Sequence, residues 1–304
     1  MRLYRTELYK LCHRKIFVVG IIVMAGVLLI DYGELRAMLP YIDEMEYGLS
    51  QVGWNLFNVD YSVTMMVLGA VLLCIISTVF SHEEQTGMKP ILLTTQNGPN
   101  RDALAKIAAA YTVSVAFWLI TTLILLLLHI TVSGLNGLEL NAGNMLWHHN
   151  SGFEIFAQPL GLYLSEVILL SFLAVLQLCA IILAVSAKSR SNFHSLCVSV
   201  LFCVFVPVFA VYILRGSFRF YLSAQYGPKV ILLALSMIVL IFQCLIYSAP
   251  FFLVYPDILV EISSLVPDNH GETAMVLFVA ALGCIMTAIC IIKAYRRYQQ
   301  PYSA

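Results

Sequence analysis

Long apolar blocks leave this chain few ways to fold. They run approximately from Ile16 to Ile30, Tyr61 to Phe80, Ile107 to Val132, Leu160 to Ala187, Phe193 to Leu214, Val230 to Tyr247 and Ala274 to Ile292. About 20 apolar residues in a helix rising about 1.5 Å each cross a hydrocarbon core of roughly 30 Å. Inside lipid, every backbone donor and acceptor must be satisfied within the segment, which selects helix for blocks of this length. The alternating ten-residue pattern of a transmembrane barrel is missing. Composition agrees, with 61% hydrophobic and 11% charged residues where soluble domains carry roughly a quarter charged. The expectation is an all-α polytopic membrane protein, with residues 1–304 forming a single transmembrane domain.

Lysine and arginine set the sidedness. Arg2, Arg5, Lys10, Arg14 and Lys15 precede the first block and place the N-terminus in the cytoplasm. Lys89, Arg101 and Lys106, then Lys188 and Arg190, fall on the same side if the blocks alternate. Seven crossings would leave the tail of Lys293, Arg296 and Arg297 outside, and the stretch holding Asp257, Glu261, Asp268 and Glu272 inside. Six crossings restore the charge rule. The predicted architecture is therefore six transmembrane helices with both termini cytoplasmic in the cell membrane. An outer region, 215–272, would carry a membrane-dipping hairpin at 230–247 between spans five and six. Asp31, Glu34, Asp43, Glu44, Glu46 and Asp60 are expected in the first outer loop.

Before the first block, Met1, Tyr4, Leu8 and Leu11 recur at helical spacing, with Arg2, Arg5, Lys10 and Arg14 on the other side. That is the pattern of an amphipathic helix in the headgroup layer, here over 1–15. No small-residue cleavage site follows it, so the leader is expected to stay attached. The cysteines lie in apolar blocks or in the leader, with no disulfide framework or zinc spacing. His148 and His149 beside Trp147 lack further ligands, and no metal site is expected.

The sequence has no phosphate-cradling G-x-x-x-x-G-K-[ST] loop, no G-x-S-x-G elbow and no H-E-x-x-H helix. It is not expected to be an enzyme or to bind a cofactor itself, and no nucleic-acid partner is expected. Its energy would come from a partner or an ion gradient. The main polar island between apolar blocks is SHEEQTGMKPILLTTQNGPNRDALAK, Ser81 to Lys106. It reads as a short helix reaching Lys89 and breaking at Pro90, a turn through Asn97-Gly98, and a new helix opened by Pro99 with Asp102 in its first turn.

This island resembles the cytoplasmic link between spans two and three in the permeases of type-2 ATP-binding-cassette exporters. That family carries an E-x-x-x-G-T element there, a leucine-rich stretch, a proline and arginine, and a lysine at the next span. The chain has Glu83-Glu84-Gln85-Thr86-Gly87, then Ile91-Leu92-Leu93, Pro99-Asn100-Arg101 and Lys106, with Met88 where the family usually has threonine. Glu7 and Lys10 resemble the family's entry helix. The resemblance implies ATPase coupling through Glu83, Glu84, Gly87, Pro99, Arg101 and Lys106 in an elbow over 81–106. It also implies a cytoplasmic ATPase dimer that supplies ATP and Mg, and a second permease chain, identical or related. The cargo would be a peptide, drug or lipid-like molecule, and the overall character is closest to antimicrobial-peptide export or immunity permeases.

Glu166 is an ionisable residue inside an apolar block and so a candidate for a translocation path. His129, Gln177 and Gln243 suit hydrogen bonds between helices, and Trp118 suits packing. Two other classes stay open. One is an intramembrane enzyme using Glu166, His129 or the His148-His149 pair, although no paired acid-base motif is present. The other is an ion-coupled transporter, although little intramembrane charge and no repeated half are visible.

Overall fold

The computed structural model describes residues 2–42, 49–88, 98–135, 137–139, 159–206, 208–209, 249–250, 253 and 272–299. They form α1 (Arg2–Cys12), α2 (Lys15–Ile42), α3 (Leu49–Ile76), α4 (Thr78–Gln85), α5 (Gly98–Ser133), α6 (Leu160–Ser186), α7 (Asn192–Val200) and α8 (Glu272–Gln299). A π-helical turn, Leu201–Phe205, continues α7. Among the described residues there is no β-strand. Five stretches are long and apolar enough to cross a membrane: Lys15–Ala37, Leu56–Gln85, Asn100–Val132, Leu160–Ser186 and Val276–Gln299.

Several boundaries differ from the sequence expectation. The first block is short, yet α2 continues through Asp31 and Glu34 to Ile42, and α3 already includes Asp60. These three acids are therefore helical rather than in a loop. Asp31 and Asp60 are buried, which is possible because polar partners described below face them from neighbouring helices. The fifth block is described as an apolar helix only over Asn192–Phe205, shorter than a span. The hairpin at 230–247, most of the outer region 215–272, and Trp147, His148 and His149 lie outside the described residues.

The core runs along α3 and α6. Phe57, Leu68, Leu72 and Ile76 of α3 are sealed, as are Tyr163, Cys179, Ile182 and Leu183 of α6. Side chains three to four positions apart share a helix face, so each of these helices presents a continuous ridge to its neighbours. Small residues allow close approach where lipid gives helices no hydrophobic reason to associate. A Cβ on Gly20 of α2 would meet Val71 Cγ1 at 2.8 Å, and one on Gly283 of α8 would meet Leu173 Cδ2 of α6 at 3.1 Å. Apolar side chains such as Ile22, Leu29, Leu127 and Leu277 point outward, as expected where the surroundings are lipid rather than water.

Contacts sort the helix ends into two groups. The start of α5 meets α1, α4 and the last turn of α8, and the end of α6 meets α4. We call this the polar end. At the opposite end, α2 meets α3 and α3 meets α5 through Asp31, Asp60 and His129.

Between α3 and α4 the helix breaks at Ser77, and the cause comes from another helix. Ser186, at the end of α6, donates its hydroxyl to the Ser77 carbonyl at 2.8 Å and accepts from the backbone N–H of Phe80 at 3.1 Å and Ser81 at 3.2 Å. A side chain inserted into the helical ladder is a recognised source of a kink. The short helix α4 then stops at Gly87, with φ +67°, where Met88 N–H bonds Glu83 C=O at 2.9 Å and Gly87 N–H bonds Glu84 C=O at 3.1 Å. This left-handed C-terminal cap favours glycine because it has no Cβ. The break therefore falls at Gly87, before the Lys89-Pro90 expected from sequence.

Candidate functional site

At the polar end, four helices place their ionisable side chains on one lysine. Lys106 of α5 is 1% exposed. Its ammonium lies 2.5 Å from Asp102 Oδ2, 2.8 Å from Glu83 Oε1 and 3.5 Å from Glu7 Oε2. An ammonium has three N–H donors, so each carboxylate can take one. Asp102 and Lys106 belong to one face of α5 because they are four residues apart; Glu7 arrives from α1 and Glu83 from α4. From α8, the Tyr298 hydroxyl sits 2.6 Å from Asp102 Oδ2 and 2.9 Å from Glu83 Oε2, donating to one at a time. Its ring packs against Phe80 at a centroid distance of 4.8 Å.

A buried carboxylate is costly unless paired and hydrogen-bonded, and here every charge has a counterpart. Lys10 reaches Glu7 at 2.5 Å from the exposed side of α1. Arg14 donates to the Thr78 hydroxyl and faces Glu7 and Glu83 electrostatically. Burial holds the Arg14 guanidinium below its ordinary value, while the two carboxylates pull it upward. Glu7, Glu83 and Asp102 thus balance Lys106, Lys10 and Arg14. Oxygen atoms of the three acids lie within 4.8 Å of one another, the spacing of a cation site, but the Lys106 ammonium already supplies the positive charge between them.

Glu7, Lys10, Glu83 and Lys106, separated widely in sequence, are therefore brought together. The other elbow residues are placed differently. Arg101 is exposed, Glu84 is half-buried, Gly87 forms the exposed cap, and Pro99 stands in the first turn of α5. Glu83 does not face outward as a docking acid, because the turn of α4 directs it to Lys106. Among the described residues of the elbow, the exposed ones are His82, Gln85, Thr86, Gly87 and Met88 with Asn100, Arg101 and Leu104. Sequence reasoning assigned Asp102 only to helix opening and overlooked Tyr298. The spacing Asp102-x-x-x-Lys106 was a legible signal for the first; Tyr298 carried none beyond its place in a basic tail.

A second polar group lies at the opposite end. Thr64 donates to Asp31 Oδ2 at 2.8 Å. His129, 1% exposed, has Nε2 at 3.5 Å from Asp60 Oδ2 and Nδ1 at 3.2 Å from the Gly53 carbonyl. Between the two ends, the Tyr61 hydroxyl contacts Ser171 at 2.5 Å and Trp118 Nε1 donates to the same Ser171 oxygen at 2.9 Å. Glu166 is half-buried in the second turn of α6, toward the end away from Lys106. No protein-family model and no curated protein matches this chain.

Proposed function

We propose that the chain is the membrane-spanning permease subunit of a type-2 ATP-binding-cassette exporter, moving a peptide, drug or lipid-like substrate with power from a separate ATPase dimer. The observation that carries the reading is the Lys106 knot. A coupling elbow must be stiff and joined to membrane helices, so that a push from an ATPase moves them together. Glu83 and Lys106 join α4 to α5, Glu7 adds the entry helix, and Tyr298 adds the last helix. The exposed tip at Gln85–Met88 and Arg101 is then the surface offered to the ATPase.

Six spans fit this reading. The chain leaves the polar end at Asn192, and α8 runs parallel to α6 and ends at the polar end with Tyr298, an arrangement that agrees with α7 opening the fifth span and α8 being the sixth. Basic residues concentrated at the polar end support a cytoplasmic placement of that end, and an exporter of this class would sit in the cell membrane. A second permease chain completes the assembly.

The test uses the chain with the ATPase encoded beside it. Arg101→Glu reverses an exposed charge at a contact where like-charge mismatch can cost several kcal/mol. The expected result is at least a tenfold loss of ATPase co-purification and of ATP-dependent export, with thermal stability retained. Unchanged capture and export, or no neighbouring ATPase gene, overturns the proposal. The buried Asp31, Asp60 and His129 favour a second reading, an ion-coupled transporter. Transport that survives ATP depletion but stops when the proton gradient is collapsed would select it.

A further inference from the structure

Along the outer face, α2 and α5 diverge and leave an apolar groove of about 460 Å³. Leu8 and Cys12 of α1 line it at the polar end. Its walls include Phe17 and Ala25 of α2, and Ala116 and Ile124 of α5. The α5 wall runs from Thr112 to Ile124, about 18 Å at the helical rise of about 1.5 Å per residue. One leaflet of a hydrocarbon core of about 30 Å is roughly 15 Å deep. The groove therefore begins at the polar end and has the length of one leaflet.

The charge above it is one-sided. The single acid of α1, Glu7, is turned inward and committed to Lys106 and Lys10. The basic side chains that α1 and the start of α2 leave exposed are Arg2, Arg5, Lys10, His13 and Lys15. Arg5, expected opposite Leu8, is three residues before it and so stands on the exposed flank of α1 that borders the groove. The Tyr4 hydroxyl, 2.9 Å from Thr112 Oγ1, pins α1 against α5. Cations at the headgroup level beside an apolar trough one leaflet deep are complementary to a molecule with an anionic head and a long hydrocarbon tail.

We propose that this groove is a binding site for an anionic phospholipid, with one acyl chain between α2 and α5 and its phosphate beside Arg5 and Arg2. The bound chain fills the space that the divergence of α2 from α5 opens, and the headgroup holds α1 down against the bundle. The site is separate from the coupling tip and does not rest on the exporter reading.

The test uses full-length chain in nanodiscs of phosphatidylcholine and phosphatidylglycerol, with retained lipids counted by native mass spectrometry after mild delipidation. Wild-type chain should keep one phosphatidylglycerol in preference to phosphatidylcholine. Ala116 and Ala25 are small and exposed in the groove walls, so Ala116→Phe and Ala25→Leu add bulk there without entering the core. Each should cut retention at least fivefold with an unchanged unfolding midpoint. Arg2→Gln with Arg5→Gln should abolish the preference for the anionic lipid. Three results would overturn the proposal: equal retention of both lipids by wild type, undiminished retention in both groove-filling variants, or a change only in oligomeric state, which would make the groove a contact between chains.

Discussion

The two ends of the bundle solve the burial of acids in opposite ways. At the polar end, Glu7, Glu83 and Asp102 surround Lys106, whose charge is permanent in the physiological range. At the other end, Asp31 and Asp60 face a threonine hydroxyl, an imidazole and, through that imidazole, the Gly53 carbonyl. Those partners are single polar groups rather than a central ammonium. The comparison separates a fixed cation, which ties several helices to one point, from single polar partners, which tie helices two at a time. Four helices meet in the first arrangement. The second joins α2 to α3 and α3 to α5 pairwise.

The largest expected effect comes from removing the fixed charge. Lys106→Met leaves three acids facing one another without their cation, a loss of about 3–5 kcal/mol, measured by SDS-unfolding titration of the purified chain. Adding Glu83→Gln and Asp102→Asn to that variant should recover most of the loss, because the acid left charged, Glu7, keeps Lys10 and Arg14 beside it. A small effect of Lys106→Met would erase the distinction between the two ends. Thr64→Val tests the pairwise arrangement: deleting one hydroxyl donor to Asp31 should cost about 1 kcal/mol in the same titration, and a cost equal to that of Lys106→Met would again break the comparison. Lys10→Gln is the smallest, since Lys10 is half-exposed. It should change stability by less than about 1 kcal/mol, and a larger loss would mean that the rim of the knot matters as much as its centre.

Apolar length made the membrane helices legible, because a block such as Leu160 to Ala187 has no other stable form in lipid. The leader was legible in part: its period of three to four placed Leu8 and Leu11 on one side, and the structure packs them inward, whereas Arg14, expected on the other side, turns inward to Thr78. The knot was legible only in pieces. Glu83 and Glu84 look alike in sequence, and the 100° step between neighbours on a helix, not their chemistry, sends one to Lys106. Tyr298 is 196 residues from Asp102, a separation at which no local pattern can report contact. Asp31 and Asp60 looked like loop residues because acids end apolar blocks, and their burial depends on His129 and Thr64 being supplied from other helices. Ser77 gave no sign of a break, since its cause, Ser186, is 109 residues away.

That serine pair has a mechanical consequence. One hydroxyl grips both edges of the α3–α4 joint, taking its hold from the last turn of α6. The eight residues of α4 make an arm about 12 Å long, so a 5° turn about the pin carries its tip through about 1 Å. The direction in which α4 leaves α3 is therefore set in part by where the end of α6 stands.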